Sequence, residues 1–111
     1  MCNGGIYDKN GPFAESLYYV LVTLKNETPD QGYDYYVTSP YPNDDLLAYG
    51  HATCSSNTAS SNNGAICVSL ARAYLMTTCD GRIGGQVEFV GCSMSQFSSK
   101  FVPSQAFAKR N

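Results

Sequence analysis

Residues 46–78 read LLAYGHATCSSNTASSNNGAICVSLARAYLMTT. The first nine, LLAYGHATC, are rich in apolar and aromatic side chains and read as a strand that ends on Cys54. The Ser, Asn, Thr and Gly run that follows is loop chemistry. Beyond it AICVSLARAYLMTT, residues 65–78, reads as a helix, with Asn62 or Asn63 as its cap. Cys67, Leu70, Ala71, Tyr74 and Leu75 are the expected inner face of that helix. A strand, a polar loop and a helix, with a cysteine on each side of the loop, form the unit around which the rest of the chain is arranged.

Upstream, GYDYYVTS (residues 32–39) sets Tyr33, Tyr35 and Val37 against Asp34, Tyr36 and Thr38, the period-two pattern of a strand. The two prolines and the Asn-Asp-Asp cluster of SPYPNDD cannot continue a ladder. They make the connection of a hairpin whose second strand is LLAYGHATC. Residues 12–27 place Phe13, Leu17, Val20, Leu21 and Leu24 at helical spacing, with Pro12 in the first turn. Residues 84–97, GGQVEFVGCSMSQF, read as a third and a fourth strand with Gly91 as the bulge or turn between them. The order helix, hairpin, helix, hairpin predicts an α+β domain in which two α-helices pack on an antiparallel β-sheet of about four to five strands. From Ser98 the apolar pattern loosens, so residues 1–98 are expected to form the domain and residues 99–111 a C-terminal tail or linker.

A chain of 111 residues, 43% hydrophobic and 14% charged, supports one modest core. Its formal net charge of -2, with seven Lys and Arg scattered along the sequence, argues against a nucleic-acid partner. No apolar run approaches the roughly 20 residues of a bilayer span, so a soluble domain without a membrane span is expected.

Five cysteines, Cys2, Cys54, Cys67, Cys79 and Cys92, are spread too evenly for a zinc site, whose ligands come in close pairs. With His51 as the only histidine, no metal and no cofactor are expected. A disulfide framework and an oxidising compartment follow. No signal peptide precedes Cys2, and Met1 reads as an initiator placed on a mature secreted chain or an excised fragment. Five thiols form at most two internal bridges, and five choices of the free one with three pairings of the rest leave 15 arrangements open.

Several residues invite a chemical role. A free thiol near His51 would suggest a Cys-His nucleophile. Strand alternation, however, points positions 51 and 54 to opposite faces, and Cys54 reads as a buried inert thiol, with an intermolecular disulfide as the alternative. Asp34, Asp44 and Asp45 with Glu88 form a candidate carboxylate set, although Asp pairs in loops are ordinarily turn formers. Tyr33, Tyr35, Tyr36, Tyr41 and Tyr49 concentrate on the first hairpin, where tyrosine offers contact area at small entropic cost. Asn26-Glu27-Thr28 is an N-glycosylation sequon, so Asn26 is expected to carry a glycan on a secreted chain.

CNGG from Cys2, GYDYYVTS, AYGHATC and IGGQVEFVGC ending at Cys92 together resemble the ginkbilobin-like, cysteine-rich stress-antifungal domain of plants. That family occurs as single secreted proteins and as tandem ectodomains of receptor-like kinases and plasmodesma-located proteins. Its hallmark is C-x8-C-x2-C. Here Cys54 matches the first sulfur and Cys67 the third, the run between them is one residue longer, and the middle cysteine is absent near Asn63 or Gly64. The resemblance implies bridges Cys2–Cys79 and Cys67–Cys92, with Cys54 left as a free thiol. Both retained bridges close long loops, each contributing roughly 4 kcal/mol in the chain-entropy picture.

Family members that bind mannose use an Asn directly after the N-terminal Cys, an Arg in the strand before the last Cys, and a Glu five positions beyond it. The matching positions are Asn3, Gln86 and Phe97. One of the three groups is kept, and the charge-assisted hydrogen bonds of such a site are lost with the other two. Phe97 offers either packing or a stacking face for another ligand.

The resemblance therefore implies a secreted, apoplastic plant defence or recognition module, antifungal or lectin-like, with an altered mannose site and a carbohydrate or cell-wall glycan as partner. The alternatives are a receptor or plasmodesmal ectodomain fragment that acts through protein contacts, and an enzyme recruited from the scaffold with His51, Asp34 and tyrosines as acid/base groups.

Overall fold

Pro12 opens α1 (Pro12–Glu27), where its missing N–H costs nothing because the first turn has no internal acceptor for it. The stripe Phe13, Leu17, Val20, Leu21 and Leu24 is buried along one side of this helix. The computed structural model describes residues 1–39, 47–59 and 63–98. The SPYPNDD connection from residue 40 to 45 (with Tyr41, Asp44 and Asp45), Asn62 and the 99–111 tail lie outside the described residues.

After α1 a 3-10 turn, Thr28–Gln31, closes on Gly32 and Tyr33, both in the left-handed region at φ 74° and 62°. Those two residues reverse the chain into β2 (Asp34–Thr38), which pairs antiparallel with β3 (Ala48–Cys54). The register sets Asp34 opposite Thr53 and Thr38 opposite Tyr49. A four-residue helix α2 (Ser56–Ala59) leads to α3 (Asn63–Thr78), and β4 (Arg82–Phe89) and β5 (Cys92–Ser98) follow. Gly91, at φ 107°, makes the turn between these last two strands.

One strand is invisible to sequence reading. β1 (Cys2–Ile6) pairs antiparallel with β4, placing Cys2 opposite Gly85 and Asn3 opposite Gly84. CNGGI has neither alternation nor β-branched density before its last residue, and tertiary pairing overrides the poor strand propensity of its two glycines. The finished sheet runs β1-β4-β5-β3-β2 with every neighbour antiparallel.

Both long helices pack on one face of this sheet. The shared core includes Val20, Leu24, Val68, Leu75, Ala52 and Met94. Glycines in the inner strands let the helices approach. A Cβ at Gly50 would lie 2.6 Å from Val20 Cγ1 and 2.7 Å from Leu24 Cδ1, and one at Gly85 would lie 2.9 Å from Cys79 Sγ.

The inner face of α3 differs from the sequence expectation. Gly64, Val68, Ala71 and Leu75 are buried, whereas Leu70 is 57% exposed and Cys67 and Tyr74 are half-buried. Two apolar stripes compete on this helix, so periodicity alone does not choose between them. The observed rotation seats Gly64 against the Tyr33 ring, where any side chain at 64 would collide, and aligns Cys67 with Cys92.

Two disulfides tie the layers. Cys2–Cys79 joins the edge strand to the residue after α3, and Cys67–Cys92 joins the first half of α3 to β5. With separations of 77 and 25 residues, the chain-entropy estimate is about 4.5 and about 3.5 kcal/mol, respectively.

Gly50→Ala should lower stability by about 1–3 kcal/mol through overpacking against α1, measured as a shift of the urea midpoint of the oxidised protein. An unchanged midpoint would mean that α1 is less closely seated than described. Replacing the longer bridge, Cys2→Ala with Cys79→Ala, should cost about 4 kcal/mol in the same assay.

Candidate functional site

Alternation along the strands divides the sheet into two faces. Val37, Ala52, Met94 and Val87 point to the helices and are buried. The residues between them form the opposite face. Across it Tyr36 stands opposite His51, His51 opposite Ser95, and Ser95 opposite Gln86, a polar row crossing four strands.

His51 is held in this row by two side-chain contacts. Its Nε2 donates to Asp34 Oδ1 at 2.7 Å, and its ring stacks on Tyr36 with centroids 3.9 Å apart. The His51 side chain is 17% exposed and that of Asp34 66%. The arrangement holds the imidazole flat between a solvated carboxylate and an aromatic ring. It can orient a proton donor, but it forms no paired-carboxylate machine. Glu88 lies on β4 in the row that runs Asp34, Thr53, Ser93, Glu88. Three strand spacings of roughly 4.8 Å put Glu88 about 14 Å from Asp34, beyond the separation at which two carboxylates share one bond. Asp44 and Asp45, the other members of the expected set, lie outside the described residues.

The positions expected to bind ligand come from three neighbouring strands. Asn3 occupies a β1 register position opposite Gly84. Gln86 lies two residues along β4, half-buried, and its backbone is bonded to Met1 in both directions. The Met1 ammonium donates to the Gln86 carbonyl at 2.7 Å, and the Gln86 N–H donates to the Met1 carbonyl at 2.8 Å. Phe97 lies on β5, fully buried at 0% exposure, with its ring stacked on Tyr49 at 5.7 Å. Its aromatic surface is therefore used in packing, and it presents no open stacking face.

Sequence reading missed a concavity at the β4–β5 turn end of the sheet. A shallow groove of about 470 Å³ is lined by Thr53, Ser55, Glu88, Phe89 and Ser93, with Cys54 and Cys92 at its inner side. Hydroxyls, one carboxylate and one aromatic ring line this groove. The signal in the sequence was weak, because Thr53 and Ser93 become neighbours only through the β3–β5 register.

Cys54 points to the helix side of the sheet, away from His51, and its thiol approaches the Gly64 carbonyl at 3.9 Å. Burial pushes this thiol above its ordinary range. It is unbonded, while Cys2–Cys79 and Cys67–Cys92 are formed. Asn26 is exposed in the last turn of α1, while Thr28, which completes the sequon, is buried at the start of the 3-10 turn. Among the described residues no three His, Cys, Asp or Glu side chains gather to hold a metal ion, and no helix is long and apolar enough to cross a membrane.

No family model matches the chain. Curated relatives do. It is 31% identical over 91 residues to the antifungal protein ginkbilobin-2 of Ginkgo biloba, covering 82% of this chain and 67% of that protein. It is also 31% identical over 91 residues to an antifungal ginkbilobin-like protein of Picea abies, of which it covers 83%. Among solved structures, the tandem DUF26 ectodomains of the Arabidopsis thaliana cysteine-rich receptor-like proteins PDLP5 and PDLP8 each superpose with a TM-score of 0.76, at 19% and 15% identity. Each match covers 87% of this chain, which spans about half the length of those tandem ectodomains. The fold is thus shared with a single DUF26 unit, and the sequence similarity extends along most of the domain. With its five-stranded antiparallel sheet under two long helices, its two bridges and its likeness to the ginkbilobins, the chain belongs to the ginkbilobin-like stress-antifungal family.

Proposed function

We propose that the domain is a plant defence or recognition module that works outside the cell, lectin-like, with a ligand other than mannose. The observation that carries this reading is the composition of the sheet face where β1, β4 and β5 meet. Asn3, opposite Gly84 in the β1–β4 register, and Gln86, two residues further along β4, are both neutral amide residues, and Phe97 is packed against Tyr49. With neither a guanidinium nor a carboxylate at the three matching positions themselves, uncharged polyhydroxyl ligands held by ordinary hydrogen bonds are favoured over charged ones. The antifungal names of the relatives supply the defence context. Extracellular placement agrees with the two long-range disulfides, which persist in oxidising compartments. In that setting Asn26, exposed on α1, is the position for a glycan.

A second reading has its own observation. Ile66, Leu70, Phe89 and Val90 are exposed together where α3 meets the β4–β5 turn. An apolar patch of this kind suits a protein partner, as an ectodomain fragment would require.

A cell-wall oligosaccharide array probed with the oxidised protein and with Asn3→Ala separates the two. Binding that falls about tenfold in the variant, the loss of roughly one good hydrogen bond, is the expected result. Absence of any glycan signal, or equal binding by the variant, would overturn the lectin-like reading and leave the apolar patch as the working surface.

A further inference from the structure

Cys54 stands directly opposite Cys92 in the β3–β5 pairing, and Cys92 is already bonded to Cys67 of α3. The hydrogen bonds define the type of pair. The Cys54 N–H donates away from β5, to the Tyr33 carbonyl at 2.9 Å, whereas the next N–H, that of Ser55, donates to the Gly91 carbonyl at 2.8 Å. Alternation then makes Cys54 and Cys92 a non-hydrogen-bonded pair, the class whose Cα atoms stand closest, about 4.5 Å apart. That spacing falls within the window of about 4.4–6.8 Å that a disulfide requires. Both sulfurs lie on the helix side of the sheet. Cys92 is held there by Cys67, and the Cys54 thiol reaches the carbonyl of Gly64, one turn before Cys67 on α3.

We infer that Cys54, Cys67 and Cys92 form an internal thiol–disulfide exchange centre. The Cys54 thiolate attacks Cys92 Sγ, the Cys54–Cys92 bond forms, the Cys67–Cys92 bond breaks, and Cys67 leaves as a thiolate that takes up a proton. One disulfide is lost and one gained, the proton given up by Cys54 is matched by the one taken by Cys67, and no external oxidant or reductant takes part. The exchange replaces the tie between α3 and the sheet with a tie inside the sheet. It also moves the free thiol to Cys67, beside the exposed Ile66 and Leu70, where thiol-reactive molecules have access.

The surroundings keep the centre slow at neutral pH. Burial favours the protonated Cys54 thiol. The titratable side chains around it are Glu88, which lines the same groove, and Tyr33, whose ring lies against Gly64. Arg72, the only charged residue of α3, stands more than a turn beyond Cys67. None of these places a positive charge beside the sulfur.

The test is a time course on the whole oxidised chain held at several pH values, quenched in acid, alkylated with N-ethylmaleimide and mapped by peptide fragmentation. Label on Cys67 should accumulate at the expense of Cys54, with a rate that rises about tenfold per pH unit below the thiol pKa, and Cys54→Ser should show no label at any cysteine. Label confined to Cys54 after long alkaline incubation, or appearing on Cys92, would overturn the assignment. Cys67→Ser provides an independent arm, since oxidative folding of that variant should yield a Cys54–Cys92 bridge. If it retains two free thiols, the geometry does not support exchange.

Discussion

The close seating of two helices on one sheet face is the constraint on which the structure depends, and two missing side chains permit it. Gly50 admits Val20 and Leu24 of α1, and Gly85 admits Leu75 and the sulfur of Cys79 at the end of α3. Both positions lie on inner strands, where a larger residue would lift a helix off the core. Core density at this distance makes the packing sensitive to a single methyl group. Cys2–Cys79 depends on the same approach, because only a closely held α3 brings Cys79 over Gly85 of β4 and next to the edge strand β1.

That architecture explains how the chain tolerates an incomplete cysteine framework. The two bridges that remain span 77 and 25 residues and fasten α3 to both the edge and the middle of the sheet. A Cys54 partner near residue 63 would have closed only a short loop, contributing less entropy. Its absence leaves a thiol facing Gly64 and paired in register with a disulfide cysteine. The local chemistry therefore differs from that of a buried spare cysteine in an apolar core.

Sequence reading recovered the parts governed by local pattern and failed where long-range pairing decided. The α1 stripe from Phe13 to Leu24 is buried as its spacing predicts. β1 has no such pattern, and its existence rests on hydrogen bonds supplied by β4 more than 75 residues away. Leu70 and Val68 are both apolar, and it is the tertiary contacts of α3, among them Gly64 against the Tyr33 ring and the Cys67–Cys92 bridge, that go with Val68 facing the core. At the candidate site, the family resemblance marked Asn3, Gln86 and Phe97, but packing against Tyr49 determines that Phe97 has no open face. His51 and Asp34 were grouped from sequence as acid/base candidates, but the bond between them was not readable, since it joins two strands whose register is a property of the sheet.

What the sequence determined by itself is therefore the inventory: an α+β order of elements and five cysteines, enough for two bridges with one sulfur left over, while the pairing and the candidate ligand positions came from the family resemblance. Periodicity and cysteine number are local properties that survive without a fold. What only the tertiary structure decided is adjacency: the fifth strand, the rotation of α3, the burial of Phe97 and the meeting of Cys54 with Cys92. Those depend on register and helix seating, and both are set by contacts between residues far apart in the chain, where no local pattern carries the information.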